Sequence, residues 1–308
     1  MATLTDTPIT DDAILGERNT AGAASHGRAA VARFATTGLL AVLALIWLFP
    51  LAWAVYNSFR DYDYVLKNGY LSFGGFTFGN YTEAFNLYRE QIFRSFGYAF
   101  VATILCLVLA FPLAYVIAFK AGRFKNLILG LVILPFFVTF LIRTIAWKTI
   151  LADEGWVVSA LGTIGLLPDE GRLLSTSWAV IGGLTYNWII FMILPLYVSL
   201  EKIDPRLLEA SKDLYSTAPR SFRRVIMPLA MPGVLAGSML VFIPAVGDFI
   251  NADYLGSPQT TMIGNVIQKQ FLVVKDYPAA AALSLGLMFI ILIGVLLYTR
   301  ALGTEDLV

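Results

Sequence analysis

The sequence predicts an all-α integral membrane protein with six transmembrane helices, and three observations carry that prediction. The 308 residues are 58% hydrophobic and only 14% charged, and the mean hydropathy is positive, a balance outside the soluble globular range. Six apolar runs, at 34–59, 95–119, 126–142, 174–200, 225–247 and 279–299, are each long enough to cross about 30 Å of hydrocarbon at about 1.5 Å per residue. No Asp, Glu, Lys or Arg lies inside any of them.

Residues 1–33 are polar and rich in Ala, Thr and Gly, and are expected to form a cytoplasmic N-terminal tail. Within it AGAASHG has the small residues of a cleavage site, but it precedes the apolar run, so the first span is expected to be uncleaved. The membrane domain is placed at 34–303, with a C-terminal tail at 304–308. Six spans put both termini on one side. The loop KAGRFK, with Lys120, Arg123, Lys125 and no acid, lies on that same side, and short loops follow the positive-inside rule best. Both termini, this loop and the 201–224 connection are therefore predicted to be cytoplasmic. At the outer end of the third span, LIRTIAWKTI holds Arg143 and Lys148, whose expected role is to snorkel to the interface.

Several function classes lose their support. Net charge is +1 and the chain has no dense basic cluster, so a phosphate backbone has nothing to follow and no nucleic-acid partner is expected. Cys106 is the only cysteine and forms no intrachain disulfide. His26, in the tail, is the only histidine, which excludes His-based metal clusters and Ser-His-Asp catalysis within this chain. No G-x-x-x-x-G-K-[ST] is present, so no phosphate-cradling loop binds ATP here. The glycines of YLSFGGFTFGNY belong to a turn-rich external loop. Spans free of ionisable side chains also remove the usual signature of a proton or ion relay.

Residues 201–224 are the polar interruption that calls for an explanation. Asp204-Pro205 is a helix start, since the carboxylate caps free N–H groups and proline lacks only a donor that would be orphaned anyway. A short helix from Pro205 to about Leu214 is predicted, with Ile203, Leu207, Ala210 and Leu214 on one face. Ser216-Thr217-Ala218-Pro219 ends it, and a second helix runs through Phe222 into the fifth span. On pattern alone this helix-turn-helix is either a membrane-surface amphipathic hairpin or a docking element.

The residues themselves carry a resemblance. Glu209-Ala210-Ser211, followed in register by Tyr215 and by Val225-Ile226-Met227-Pro228, resembles the EAA motif of ATP-binding-cassette importer permeases: Glu-Ala-Ala, three residues, Gly, nine residues, Ile-x-Leu-Pro. Ser211 stands for the third-position alanine, Tyr215 for the glycine, and Val225 and Met227 for Ile and Leu. The tyrosine matters most, because glycine eases a chain through such a turn. YNWIIFMILPLYVSLEKID and FIPAVGDFINADYLGSPQTTMIGNVIQKQF are similar to the first permease of spermidine/putrescine importers. The resemblance covers most of 180–300; residues 1–120 show only the general permease pattern.

That resemblance implies a type I importer permease fold in a bacterial cytoplasmic (inner) membrane. It implies a second permease subunit, two ATPase subunits that bind ATP and Mg, and an extracytoplasmic substrate-binding protein. No cofactor belongs to this chain itself, which is expected not to be an enzyme. Glu209, Ala210, Ser211, Leu214 and Tyr215 become the coupling contact with the ATPase. For the pathway, Pro244, Gly247 and Asp248 form a helix-breaking cluster at the outer end of the fifth span, tolerated at depth only where it lines a cavity or faces protein. Asp248, with Asp253 nearby, suits a cationic amine. Tyr186, Trp188, Phe249 and Tyr254 are candidates for cation–π contacts of about 0.5–2 kcal/mol each. The other explanation makes Asp248 a cap for the next segment and the aromatics an interfacial belt. The substrate expected is a polyamine. The alternatives are a sugar or an anion, for which Arg143 and Lys148 would be the first candidates, or a secondary transporter or channel without ATP.

Overall fold

The computed structural model describes residues 36–163, 165 and 171–301. The expected tails at 1–33, with His26, and at 304–308 lie outside the described residues. Two units are distinguished, Met1–Tyr56 and Asn57–Val308. In the first, helix α1 (Thr36–Ser58) is the first apolar span, and Phe49, Trp53 and Tyr56 stack along it.

Among its described residues the second unit is built of helices joined by loops, with an isolated bridge between Arg60 and Phe76. A short helix α2 (Tyr62–Asn68) is capped by Asp61. Its loop folds over the buried guanidinium of Arg60, which donates to the Tyr70 carbonyl and to Ser72 Oγ, each at 2.7 Å. Helix α3 (Gly79–Phe119) begins well before the expected span at residue 95. Its 41 residues extend about 60 Å, roughly twice the hydrocarbon thickness. Glu83, Arg89, Glu90 and Arg94 occupy the part outside that span.

The third span differs most from expectation. Sequence placed one helix at 126–142; the chain instead forms α4 (Lys125–Ile133), a 3₁₀ turn at Leu134–Phe137 and then α5 (Phe140–Ile150), bent by 91° across the break. Pro135 stands at the start of that turn. It removes a backbone donor and its ring excludes the carbonyl four residues back, and Val138 and Thr139 then turn extended. Neither half alone crosses a bilayer. Among the described residues there are therefore five long apolar helices, or six if the bent pair counts as one span.

After α6 (Trp156–Thr163), α7 (Ser177–Glu201), with Pro195 inside it, leads to α8 (Pro205–Asp213) and α9 (Ala218–Ser221). The last leads through a π turn at Phe222–Ile226 into α10 (Met227–Val246). The π turn has a cause in the sequence: Pro228 cannot donate to its own α-helical partner, and the Met227 N–H reaches back to the Phe222 carbonyl. Two short helices, α11 (Ile250–Leu255) and α12 (Ile263–Lys269), and a second π turn at Gln270–Val274 precede the last span, α13 (Tyr277–Ala301).

Helices α3, α7 and α10 form the core. Small residues Ala99, Ala102, Cys106, Ala110 and Ala114 recur on α3 at helical spacing and are fully buried. On α10, a methyl added at Gly233 would fall 2.6 Å from the Pro195 carbonyl, and one at Gly237 would fall 2.8 Å from Met192 Sδ. In lipid, where apolar side chains gain little by leaving their surroundings, such close approach supplies the packing. Gly233→Ala is expected to lower the thermal unfolding midpoint of the detergent-solubilised protein, by an overpacking cost of about 1–3 kcal/mol. Gly286→Ala, where nothing lies within 4 Å of the added methyl, is expected not to lower it.

Candidate functional site: a docking helix and a buried polar cluster

The helix-turn-helix forms as its residues dictate. Asp204 accepts from the Arg206 N–H at 2.9 Å through its side chain, and its carbonyl accepts from Leu207. At the other end of α8, Leu214 N–H donates to the Ala210 carbonyl and Ser216 N–H to the Ser211 carbonyl, each at 3.1 Å. The bond from Ser216 spans five residues, as in a Schellman stop. That stop needs a left-handed residue between them, and Tyr215 supplies it with φ 54°. The turn is thus as sharp as a glycine would make it, with the backbone strain that a side chain adds. Ser211 has a use that alanine lacks, because its Oγ meets Ser221 Oγ at 2.7 Å and joins the two arms.

The expected apolar face of α8 is only partly covered. Ile203 is buried and Leu208 packs on the core, but Leu207, Ala210 and Leu214 are exposed. The short helix touches the bundle along a line through Leu208 and Ser211, one residue round from the predicted stripe. Leu214 is 81% and Tyr215 93% exposed, and Glu209 is exposed beside them. An uncovered leucine and tyrosine thus stand next to a carboxylate at the tip of the hairpin. Tyr215→Gly is expected to relieve about 1 kcal/mol of left-handed strain, read as slower hydrogen exchange of the amides at 214–221.

At the opposite end of α7 and α10 lies a cluster built from broken helices. Asp248, just beyond the end of α10, is 7% exposed. Its Oδ1 accepts from the Asn251 backbone N–H at 2.8 Å and its Oδ2 from Asn251 Nδ2 at 3.0 Å. Asn251 Oδ1 in turn accepts from Asn187 Nδ2 at 3.1 Å, and the same Asn187 nitrogen donates to Thr144 Oγ1 at 3.1 Å. Asn187 therefore joins α7, α5 and α11. Its own Oδ1, the Trp188 indole N–H and Arg143 Nε are buried without a hydrogen-bond partner. The Trp188 N–H is close enough to favour the Asp248 carboxylate electrostatically, yet its geometry completes no bond.

Burial pushes the Asp248 carboxyl up to about 6, against the opposing pull of the Asn251 donors. The sign of the linkage follows. A carboxyl raised in the fold from its usual value near 4 binds its proton more tightly when folded, so it favours the fold at low pH, and that contribution is lost as pH rises from about 4 to 6. Asp248→Asn carries no such titration. The variant's unfolding midpoint is expected to gain on that of the wild type as pH is raised through this window.

The sequence candidates separate in space. Asp248 turns into the amide cluster, whereas Asp253 accepts from Asn265 Nδ2, which also donates to the Phe249 carbonyl at 2.8 Å. Burial raises the Asp253 carboxyl too, and the Asn265 bond opposes it. Trp188 packs against Phe140 and Phe191, and Tyr186 lies edge-on to Trp147 at 5.3 Å. The Tyr254 face is already taken by Lys148 Nζ, 5.9 Å from the ring centre. Phe249 is half-buried. Arg143 does not snorkel. It is 8% exposed and rests over Phe136 at 5.5 Å and Phe140 at 5.7 Å; Phe140 is three residues before it on α5, and Phe136 lies across the break. Asn187, Asn251 and Asn265 escaped a search for charges alone; an asparagine inside the apolar run YNWII was the available signal.

Residues 107–302 match the binding-protein-dependent transport system inner membrane component family. The chain belongs to that family. It is a transport permease and a multi-pass membrane protein. The spermidine/putrescine transport system permease protein PotB of Haemophilus influenzae is 41% identical over 226 residues, covering 73% of this chain and 79% of that one. Its namesake in Escherichia coli K12 is 40% identical over 227 residues, 73% and 82% of the two chains. The inner membrane ABC transporter permease protein YdcU of the same organism is 34% identical over 291 residues, 86% and 90%. Among solved structures, a chain of a bacterial ABC transporter that imports the acidic polysaccharide alginate superposes with TM-score 0.61 at 16% identity, over 95% of this chain and 98% of that one. A chain of the alginate transporter bound to its pentasaccharide-loaded periplasmic protein gives 0.60 at 20% identity, over 85% and 91%. The ABC importer permease fold is thereby established.

Proposed function

We infer that this permease is half of the translocation pathway of an ATP-driven importer for a polyamine such as spermidine or putrescine. The observation that carries the substrate is the identity of 40–41% to spermidine/putrescine permeases over 73% of the chain. A second permease subunit supplies the other half. Two ATPase subunits bind ATP and Mg, since the chain lacks a phosphate-binding loop, and a substrate-binding protein delivers the amine from outside. Both termini and the helix-turn-helix face the cytoplasm of a bacterial inner membrane, as the charge of KAGRFK requires.

On this reading Glu209, Ala210, Ser211, Leu214 and Tyr215 form the plug that the ATPase receives. Leu214 and Tyr215, exposed on the isolated chain, are its apolar anchors, and Glu209 sets its electrostatic register. Asp248 is the charge an ammonium meets after it sheds water. Its cap on α11 and its approach to substrate are compatible, because each carboxylate oxygen accepts one bond from Asn251 and keeps further lone-pair capacity. Trp188 and Tyr186 line the same end, while Asp253, Phe249 and Tyr254 stand farther along.

Radiolabelled spermidine uptake by the complete transporter in proteoliposomes tests this. Spermidine is expected to enter only with ATP and the binding protein, and neither a sugar nor sulfate is expected to replace it. Asp248→Asn is expected to reduce uptake more than tenfold through the loss of one charge-assisted bond worth about 1.5–3 kcal/mol, with Asp253→Asn milder and complex assembly intact. Glu209→Lys is expected to abolish substrate-stimulated ATP hydrolysis while leaving membrane insertion unchanged. Sulfate or sugar uptake in place of spermidine would overturn the substrate, and normal stimulated hydrolysis by Glu209→Lys would overturn the docking assignment.

A further inference from the structure

Two asparagines interrupt apolar runs, Asn187 in YNWII and Asn251 in FINAD, and they meet in the interior. They are 1% and 0% exposed, and Thr144 beside them is 0% exposed. An amide is oriented by what its neighbours can give or take, and here the neighbours leave one choice from either end. At one end Asn251 Nδ2 donates to Asp248 Oδ2 at 3.0 Å. A carboxylate only accepts, so Asn251 turns its oxygen the other way, toward Asn187. At the other end the hydroxyl proton of Thr144 goes to the Phe140 carbonyl at 3.1 Å, so Thr144 Oγ1 can only accept from Asn187. Asn187 therefore presents its NH2 group to both partners, at 3.1 Å each. Its own Oδ1 stays buried without a partner, a cost that makes the two donors the part of the side chain the fold uses.

Helix α7 is shaped for the same contact one turn earlier. A methyl added at Gly183 would fall 2.6 Å from Asn251 Oδ1, so the glycine leaves the space that the Asn251 amide fills. Asn187, four residues on, supplies the donor from the same face of the helix.

The consequence reaches Asp248. Burial favours its neutral acid, and the two bonds from Asn251 are the largest of the contacts that oppose this. If Asn251 turned over, its oxygen would face the carboxylate, and one of those two bonds would become a repulsion. The titratable groups on the helices around Asp248 are Arg143 and Lys148 on α5, Tyr186 on α7, Asp253 and Tyr254 on α11 and Lys269 on α12. None of them bonds or ion-pairs with Asp248 among the described residues. The setting of the carboxylate thus depends on which way one amide points.

We propose that Asn187 is a positioning residue for amine capture: anchored on Thr144 of α5, it holds Asn251 with its NH2 group toward Asp248, so that the carboxylate is presented to the incoming ammonium. Asn187 does not itself touch the amine. The assignment deepens the importer reading and rests on it, with Asp248 as the residue that the amine meets.

Spermidine uptake by the complete transporter in proteoliposomes tests this, with the external pH varied and the lumen that holds ATP and the ATPase kept at one pH. Wild-type uptake is expected to fall as the external pH drops through about 6, because a protonated Asp248 offers an ammonium no charge. Asp248→Asn is expected to lack that acid limb in its residual uptake. Asn187→Leu is expected to keep the limb and to move its midpoint upward by about one pH unit, with the half-saturating spermidine concentration unchanged on the alkaline side. Thr144→Val, which removes the acceptor that anchors Asn187, is expected to move the midpoint the same way by less, and Thr144→Ser to leave it in place. Recovery of the assembled transporter in detergent is the control for folding, and if Asn187→Leu does not assemble, the two Thr144 variants decide. Midpoints that coincide with the wild type, while Asp248→Asn lacks the limb, overturn the positioning role and leave Asp248 standing. A half-saturating concentration raised at every pH makes Asn187 an amine contact and overturns it too. An acid limb that survives in Asp248→Asn overturns the Asp248 reading and this inference together, and a wild type that takes up no spermidine removes the importer reading beneath both.

Discussion

The close approach of α7 and α10 is the contact on which the rest of the unit depends. With Gly233 against the Pro195 carbonyl and Gly237 against Met192, the two helices meet nearly backbone to backbone, and the alanines of α3 close the third side. Lipid gives apolar side chains little reason to associate, so this fit takes the place of the driving force that water would provide. A rigid three-helix core then permits what lipid forbids. The break at Val138–Thr139 and the short helices α11 and α12 carry backbone groups that no long helix satisfies, and these must be answered by protein. Ser95 Oγ accepting from the Ile263 N–H at 2.7 Å, and the Thr261 carbonyl accepting from Arg94 at 3.1 Å, are two such answers.

Asn187 stands where the core meets the broken segments. Its amide connects Thr144 of the bent pair to Asn251 and through it to Asp248. Helix α7 continues about 20 Å from Asn187 to Glu201, and three residues then lead into α8. The buried cluster and α8 therefore lie at the two ends of one helix, which holds Pro195 between them. Pairing of Lys125 with Glu201 ties the bent pair to the lower end as Thr144 ties it to the upper.

The departures from the family motif have physical consequences of their own. Tyr215 adopts the left-handed conformation that glycine would take freely, so the turn is kept at a cost and an aromatic ring is placed 93% exposed at its tip. Ser211 offsets part of that cost by bonding to Ser221 across the hairpin. The same geometry is reached with a different surface, which is where recognition of a partner is decided.

The sequence by itself determined the membrane class, the helical cap at Asp204, the stop after Leu214 and five of the spans, because these follow from local rules: apolar length, capping chemistry and the absence of charge. It also displayed the EAA-like run that led to the family. The tertiary structure decided the fate of the third span, where Pro135 broke a run that apolar length had joined. It decided which side of α8 meets the bundle, and it buried Arg143 between phenylalanines instead of leaving it at the interface. It also sent two aspartates five residues apart into different surroundings, Asp248 to Asn251 and Asn187, Asp253 to Asn265. The break at Pro135 and the rings over Arg143 are local, but apolar length alone does not give the direction of the bend; Asn187 and Asn251 are 64 residues apart, and hydrogen-bond complementarity between such partners leaves no periodic trace in the sequence.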